Sequence, residues 1–296
     1  MTSSSTPLAE QIAAVARARA ELERAVFPRP AKPTVLAVAN QKGGVGKTTS
    51  AVNLAVALAE AGMSVIVIDS DPQGNASTAL GVEHRSGTPS TYDVLTGELT
   101  LAECLVQSPQ VEMLKVCPAT IDLSGAELEL AAKTQREFIL HQAITDHLAV
   151  NRHVDVILVD CPPSLGLLTL NALVSADRVV VPIQAEYYAL EGLSMLIQTI
   201  NRIREYLNPR LTIGAILLTM FDKRTNLSAE VAAELRAYFP DIVLDTVIPR
   251  SVKLSEAPSF GTSIFGHDPR GVAAVAYKKA ALELAQRIAK VEESNG

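Results

Sequence analysis

Two lysines, Lys42 and Lys47, stand in the run "NQKGGVGKTTS" (40–50) among Gly43, Gly44 and Gly46. Glycines let a backbone approach a ligand closely and take turns that side chains forbid. The end of the run, Gly46-Lys47-Thr48, matches the phosphate-binding pattern G-x-x-x-x-G-K-[ST], except that Gln41 stands where that pattern has its first glycine. In such a loop the backbone N–H groups and the following helix N-terminus cradle phosphates. Lys47 would neutralise the β- and γ-phosphates, and the Thr48 hydroxyl would ligate Mg²⁺. Lys42 is a second cation, one that a simple nucleotide pocket does not require. Carboxylates occur in two further places. Asp69 and Asp71 close the run "VIVIDSD", and Asp160 ends "VILVD" (156–160). A hydrophobic strand ending on Asp is the Walker B pattern, whose carboxylate binds Mg²⁺, here through water.

These groups need elements that bring them together. "TVLAVA" (34–39), "SVIVID" (64–69), "VDVILVD" (154–160), "DRVVVPI" (177–183), "LTIGAILLTM" (211–220) and "IVLDTVI" (242–248) read as core strands, because buried parallel strands are continuous apolar runs. Helices are expected from Lys47 to Ala61, stopped by Gly62, and near 134–150, 166–176, 190–207, 228–238 and 271–291. Residues 84–133 are less regular, with short helices and a strand near 111–116. Strands alternating with helices predict an α/β fold: a doubly wound, mainly parallel sheet with helices on both faces. Carboxylates at the C-terminal ends of its strands face the ligand crevice, where Asp69, Asp71 and Asp160 would converge on the loop.

Residues 1–33 read as an extension ahead of a nucleotide-binding domain at 34–296. Leu8, Ile12, Val15, Ala18, Leu22 and Val26 fall at helical spacing, and "PRPAKP" then ends the helix. This helix packs on its own domain, joins a partner or second copy, or serves as a basic arm.

The chain of 296 residues carries a net charge of -6, so no global basic field draws it to nucleic acid, and any such contact must be local. Three cysteines without C-x-x-C spacing, Cys104, Cys117 and Cys161, give no disulfide framework or structural zinc site. There is no basic segment followed by an apolar run at the N-terminus and no apolar stretch long enough to span a bilayer, so a cytosolic protein is expected.

"KGGVGKTT" resembles the deviant Walker A loop of the ParA/MinD family of P-loop ATPases, and "DSDPQGN" resembles the family's second segment. "AEYYALEGL" (185–193), "TMFDKRTNLS" (219–228) and "VIPRSVKLSEAPSFG" (247–261) resemble the ParA/Soj branch in particular, so the likeness runs from residue 34 to about 290. The resemblance implies ATP and Mg²⁺ as cofactors, held by Lys42, Gly43, Gly44, Val45, Gly46, Lys47, Thr48 and Thr49. It implies that Lys42 reaches the nucleotide of a second copy, so that ATP glues a homodimer, with Gly43 at the same interface. Asp71 would position the attacking water and Asp69 would support the Mg²⁺ shell beside Thr48 and Asp160. Arg224 and Arg250 match arginines that carry nonspecific DNA binding in that branch, and Lys253 is a plausible addition to them. A ParB-like partner would stimulate hydrolysis, and the protein would sit on the nucleoid in the cytoplasm. Within the family a MinD-like membrane cycle and the positioning of protein cargo are the competing expectations. The end "AKVEESNG" is too acidic for anionic lipid, and the three cysteines do not supply the pair that a nitrogenase-type iron protein needs.

Overall fold

The computed structural model describes residues 7–187 and 189–293. Among the described residues eight strands form one sheet: β1 (Thr34–Val38), β2 (Val65–Asp69), β3 (Val106–Gln107), β4 (Leu114–Cys117), β5 (Val156–Asp160), β6 (Arg178–Gln184), β7 (Thr212–Phe221) and β8 (Val243–Pro249). Their order across the sheet is β3-β4-β2-β5-β1-β6-β7-β8. Every pairing is parallel except β3 with β4 at one edge. The three central strands β2, β5 and β1 are buried at every position. That burial follows from helices on both faces, which is why alternation is missing from their sequences. Two apolar clusters, one per face, fill the space between sheet and helices.

The helix that matters most for the site, Lys47–Glu60, runs under the sheet. Its "SAVNLAVALA" is buried almost all round, as an interior helix should be. It ends in a Schellman arrangement: the Gly62 N–H reaches Ala59 O at 2.9 Å and the Met63 N–H reaches Leu58 O at 3.2 Å, with Gly62 at φ +88°. Beside it lies the C-terminal helix Val272–Glu293, whose Ala273, Tyr277, Ala281, Leu284 and Ile288 are buried in the same cluster.

Three expectations change. The segment 134–150 is helical only over Ile139–Val150; a separate helix occupies Leu123–Ala131, and Gln135 at φ +52° breaks the path between them. The strand near 111–116 lies at Leu114–Cys117, with the two-residue β3 antiparallel to it. The first helix, Pro7–Arg24, stops short of Val26, which is 84% exposed, and Ile12 is 62% exposed. Leu22 is buried as expected, Phe27 is buried beyond the helix, and this helix runs against Val272–Glu293. The side chain of Leu8 lies outside the described residues. Arg29 fixes the proline-rich segment by donating to the Gly62 carbonyl and pairing with Asp155 at 3.7 Å.

Candidate functional site

The P loop joins β1 to the helix Lys47–Glu60. The helix begins at Gly46, which takes the left-handed φ of +83°, and Gly44 has φ +75°. An L side chain at either position would be strained. The loop is pinned from two strands. Asn40 donates through Nδ2 to Pro182 O at 2.8 Å and accepts the Lys42 N–H at 3.0 Å, while the Thr219 hydroxyl donates to Val45 O at 2.8 Å. The cradle of N–H groups is therefore set by β6 and β7. Lys47 folds back so that Nζ donates to Lys42 O at 3.2 Å. Its side chain is buried; burial lowers its pKa, and the charge of Asp160 opposes that most.

Lys42 points the other way. Its ammonium is ion-paired with the carboxylate of Glu186, in the segment after β6. Gly43 differs from Gly44 and Gly46 in having no left-handed φ, and a Cβ built there meets no atom within 4 Å. Nothing among the described residues requires a glycine at this position.

The carboxylates come together at strand ends because β2 and β5 pair in register, with Asp69 opposite Asp160. Both side chains are fully buried. Asp160 is pushed well above the usual carboxylate range, first by burial and next by the charge of Asp69. The Thr48 hydroxyl favours its ionised form, yet neither Asp160 oxygen makes a hydrogen bond of ordinary geometry among the described residues. A buried carboxylate with both oxygens unmatched is costly unless a cation or proton completes it. Asp160 and Thr48 are hard oxygen donors of the kind Mg²⁺ takes alongside phosphate and water. No cluster of three or more His, Cys, Asp or Glu suited to a metal occurs among the described residues. A cation here therefore depends on oxygens that a nucleotide would bring.

Asp69 is tied into its own turn. Its Oδ2 accepts the Ser77 hydroxyl at 2.7 Å and the Ser77 N–H at 2.8 Å, and Oδ1 accepts the Asp71 N–H at 3.2 Å. Burial still outweighs these bonds and pushes its pKa to about 6. Asp71, at the mouth, accepts the Gln73 N–H through Oδ1 at 3.0 Å. Asp69 thus holds the turn that aims Asp71.

A cleft of about 360 Å³ runs over Gly43, Gly46, Lys47, Thr48 and Asp71. A second, of about 330 Å³, continues from Gly46 and Thr49 past Met220 and Ile248 to Arg250 and Tyr277. Both are lined by Met220, which sits at φ +51°. A bulky residue held there stores strain of about 1–3 kcal/mol, and no sequence pattern announces it. The Tyr277 hydroxyl lies 3.3 Å from that of Ser50, and burial drives it far above its ordinary pKa. Tyr277, Met220 and Glu186 are the contributors that reading by motif leaves without a role.

Arg224, Arg250 and Lys253 fall close together because Phe221 of β7 pairs with Pro249 of β8. Arg224 and Lys253 are each paired with a carboxylate. Arg224 makes a two-pronged contact with Asp222, Nε to Oδ1 at 2.9 Å and Nη2 to Oδ2 at 2.7 Å. That contact, aided by the charge of Arg250, holds the Asp222 carboxyl at about 2. Lys253 pairs with Glu256 at 2.9 Å, and His267 lies 3.4 Å from the same oxygen. Cys104, Cys117 and Cys161 are buried and free. No helix among the described residues is long and apolar enough to cross a membrane.

A glycine loop between a parallel strand and a buried helix, with paired carboxylates at the adjoining strand ends, defines a P-loop nucleotide-binding protein. A family model described as an AAA domain matches residues 33–213. The chain is 49% identical over 253 residues to the chromosome partitioning protein ParA of Caulobacter vibrioides (strain NA1000 / CB15N), covering 86% of this chain and 94% of that one. It is 49% identical over 255 residues to the sporulation initiation inhibitor protein Soj of Bacillus subtilis (strain 168), covering 86% and 98%. A crystal structure named as cobyrinic acid a,c-diamide synthase from Mycobacterium smegmatis, with bound ATP analog and magnesium, superposes with a TM-score of 0.71 at 36% identity over 84% of this chain and 93% of that one. These relatives are named for different chemistries, and the higher identities fall on the partitioning proteins. The chain belongs to the ParA/Soj family of chromosome-partitioning ATPases.

Proposed function

We propose that this chain is an ATP- and Mg²⁺-dependent partitioning switch: ATP closes a homodimer, the dimer binds DNA without sequence preference, and hydrolysis, stimulated by a ParB-like partner, releases it. Lys47 and the N–H groups of residues 43–49 hold the phosphates. Thr48 and Asp160 hold the Mg²⁺, which when bound neutralises charge on the β- and γ-phosphates. Asp71, aimed by the Asp69 turn, positions the attacking water. Lys42 leaves Glu186 and offers its charge to the nucleotide of the second copy, in the manner of a finger residue. Arg224, Arg250 and Lys253 then meet DNA phosphates, which places the protein on the nucleoid.

The observation that carries this reading is the pairing of Lys42 with Gly43. The Lys42 ammonium is held by Glu186 while Lys47 turns back onto the Lys42 carbonyl, and no described residue requires the glycine beside it. A second copy approaching that face supplies the missing reason for both. The apolar face of the C-terminal helix is buried in the core, so it is not offered to lipid as a membrane cycle would need.

Gly43→Val tests the reading. The parent should dimerise by light scattering with Mg²⁺ and a slowly hydrolysed ATP analogue, and bind labelled duplex only then. The variant should bind the analogue, remain a monomer and lose DNA. A monomeric variant with parental DNA affinity would show that the dimer is not the DNA-binding form.

A further inference from the structure

The turn that carries Asp71 is held at one point by Asp69, which binds Ser77. A second support lies at Gly74. The Gly74 N–H donates to Asp71 O at 2.9 Å, and Gly74 takes a left-handed φ of +63° as it opens the short helix Asn75–Ala79. Gly74 is buried, and a Cβ built on it would lie 2.7 Å from His84 Nδ1, 2.9 Å from His84 Cε1 and 3.0 Å from Ala119 O. Such separations are well inside ordinary van der Waals contact. The imidazole of His84 and the Ala119 carbonyl therefore close on the glycine itself. Glycine is needed there for space as well as for its backbone angle.

His84 is also bonded to this turn. Its Nε2 lies 2.8 Å from the Thr78 hydroxyl, and that hydroxyl donates to Gly74 O at 3.1 Å, beside the Thr78 N–H at 2.9 Å. A hydroxyl has one proton to give. With the Thr78 proton on Gly74 O, His84 must donate to the Thr78 oxygen, which assigns a proton to Nε2. The ring is itself held from behind. Asp122 ties down the residues that follow it: Oδ1 accepts the Ser86 hydroxyl at 2.8 Å and Oδ2 accepts the Gly87 N–H at 3.1 Å. Contacts thus run without a break from Asp122 through the loop of His84 to Gly74 and the Asp71 carbonyl.

We propose that His84 is a positioning residue for ATP hydrolysis: by donating to Thr78 and packing on Gly74 it fixes the backbone of residues 71–74, and so aims the Asp71 carboxylate at the attacking water. The inference rests on the reading of Asp71 as the group that positions this water. His84 is not among the residues lining the two clefts over the P loop. Its loss therefore leaves nucleotide binding intact and falls on the chemical step. Without the ring, Gly74 gains room on one side, and a glycine has the backbone freedom to use it. Asp71 then samples a wider range of directions. Small errors in the placement of a reacting group cost rate steeply, because orientation supplies much of the lowering of the barrier.

The test is single-turnover hydrolysis of ATP by the full chain with Mg²⁺, beside ATP affinity from titration calorimetry. His84→Ala should slow hydrolysis about tenfold or more while its ATP affinity stays within about twofold of the parent's. His84→Gln, whose amide returns an N–H donor near the place of Nε2, should recover most of that loss. Thr78→Val, which keeps the side chain's shape without its hydroxyl, should match His84→Ala. In an Asp71→Ala background, His84→Ala should cause no further fall, because no carboxylate is left to aim. Circular dichroism and melting curves check that each variant folds, and light scattering with a slowly hydrolysed ATP analogue checks that it dimerises as the parent does. Parental rates in His84→Ala and Thr78→Val would overturn the proposal. So would a His84→Gln variant as slow as His84→Ala, a rate lost only in step with ATP affinity or melting temperature, or a further tenfold loss in the Asp71→Ala background. A slow Asp71→Ala beside a fast His84→Ala refutes the role of His84 alone. A fast Asp71→Ala refutes the reading of Asp71, and the role of His84 falls with it.

Discussion

The buried carboxylates make the nucleotide-free protein sensitive to pH in a direction that can be worked out. Asp69 titrates near 6 in the folded chain against 3.8 unperturbed, with burial as the main cause. Its raised pKa means that the folded state holds the proton more tightly than the unfolded chain. The stability it contributes is fully present below about pH 4 and is lost as pH rises through 6. A difference of roughly two units, at about 1.4 kcal/mol each, amounts to about 3 kcal/mol. For a domain of this size that is a fall in Tm on the order of 5–10 °C. The perturbation is Asp69→Asn, which keeps an oxygen for the Ser77 hydroxyl and N–H but removes the charge. The assay is thermal unfolding in EDTA, without nucleotide, from about pH 3.5 to 8. The parent should lose this increment across the window and Asp69→Asn should not. Taking the difference between the two proteins removes groups such as Asp222, whose pKa is lowered and whose contribution runs the other way. Parallel curves for parent and variant would refute the reasoning, since the desolvated carboxylate would then make no contribution to the fold's pH dependence.

Three further outcomes are expected. Lys47→Ala should lose nucleotide binding by at least about a hundredfold in titration calorimetry, since the main fixed cation of the loop goes. Unchanged affinity would remove the P-loop assignment. Asp71→Ala should bind ATP and dimerise, yet turn over at least about a hundredfold more slowly in a phosphate-release assay; parental turnover would move the water-positioning role elsewhere. Arg224→Ala and Arg250→Ala should each keep ATP-dependent dimerisation, while the slope of log K against log[salt] for duplex DNA becomes shallower by about 0.9 for every phosphate that is no longer neutralised. An unchanged slope would take these arginines off the DNA.

Much of this architecture is legible in the chain because the strands are fully buried and their sequences say so. "VILVD" and "VIVID" admit few other environments, and each delivers its Asp to the same edge of the sheet. The errors lie where side-chain burial decides too little. Val106 and Gln107 are both exposed, so no apolar run marks β3, and its existence depends on β4 beside it. Gln135 breaks a helix by adopting a backbone angle that Gln does not advertise. At the site, Thr48, Asp69, Asp71 and Asp160 can be placed because each sits one turn or one strand end from a recognisable run. Glu186 cannot, since its meeting with Lys42 requires β6 to lie beside β1. Met220 reads in the sequence only as the end of a strand; its positive φ occurs inside β7, one residue after the Thr219 that holds the P loop.

The protomer meets Lys42, Arg224 and Lys253 with its own carboxylates. Lys42 is held by Glu186, Arg224 by Asp222 and Lys253 by Glu256. Exposed pairs of this kind contribute little to stability, typically under about 1 kcal/mol, so they do not explain the fold. Their consequence in the proposed cycle is one of exchange. At Lys42, Arg224 and Lys253 a phosphate of the second copy's nucleotide, or of DNA, would not meet an unoccupied cation; it would replace a carboxylate already there. Each replacement returns a carboxylate to water and takes a phosphate out of it, so the net gain per contact is smaller than for a free cation. Single contacts are then weak, and several must be made together before DNA is held. A dimer doubles the number of such exchanges on one face, whereas a monomer offers half. In the proposed cycle that difference in number, more than the strength of any one arginine, would let a nucleotide at Lys42 decide whether DNA is bound at Arg224.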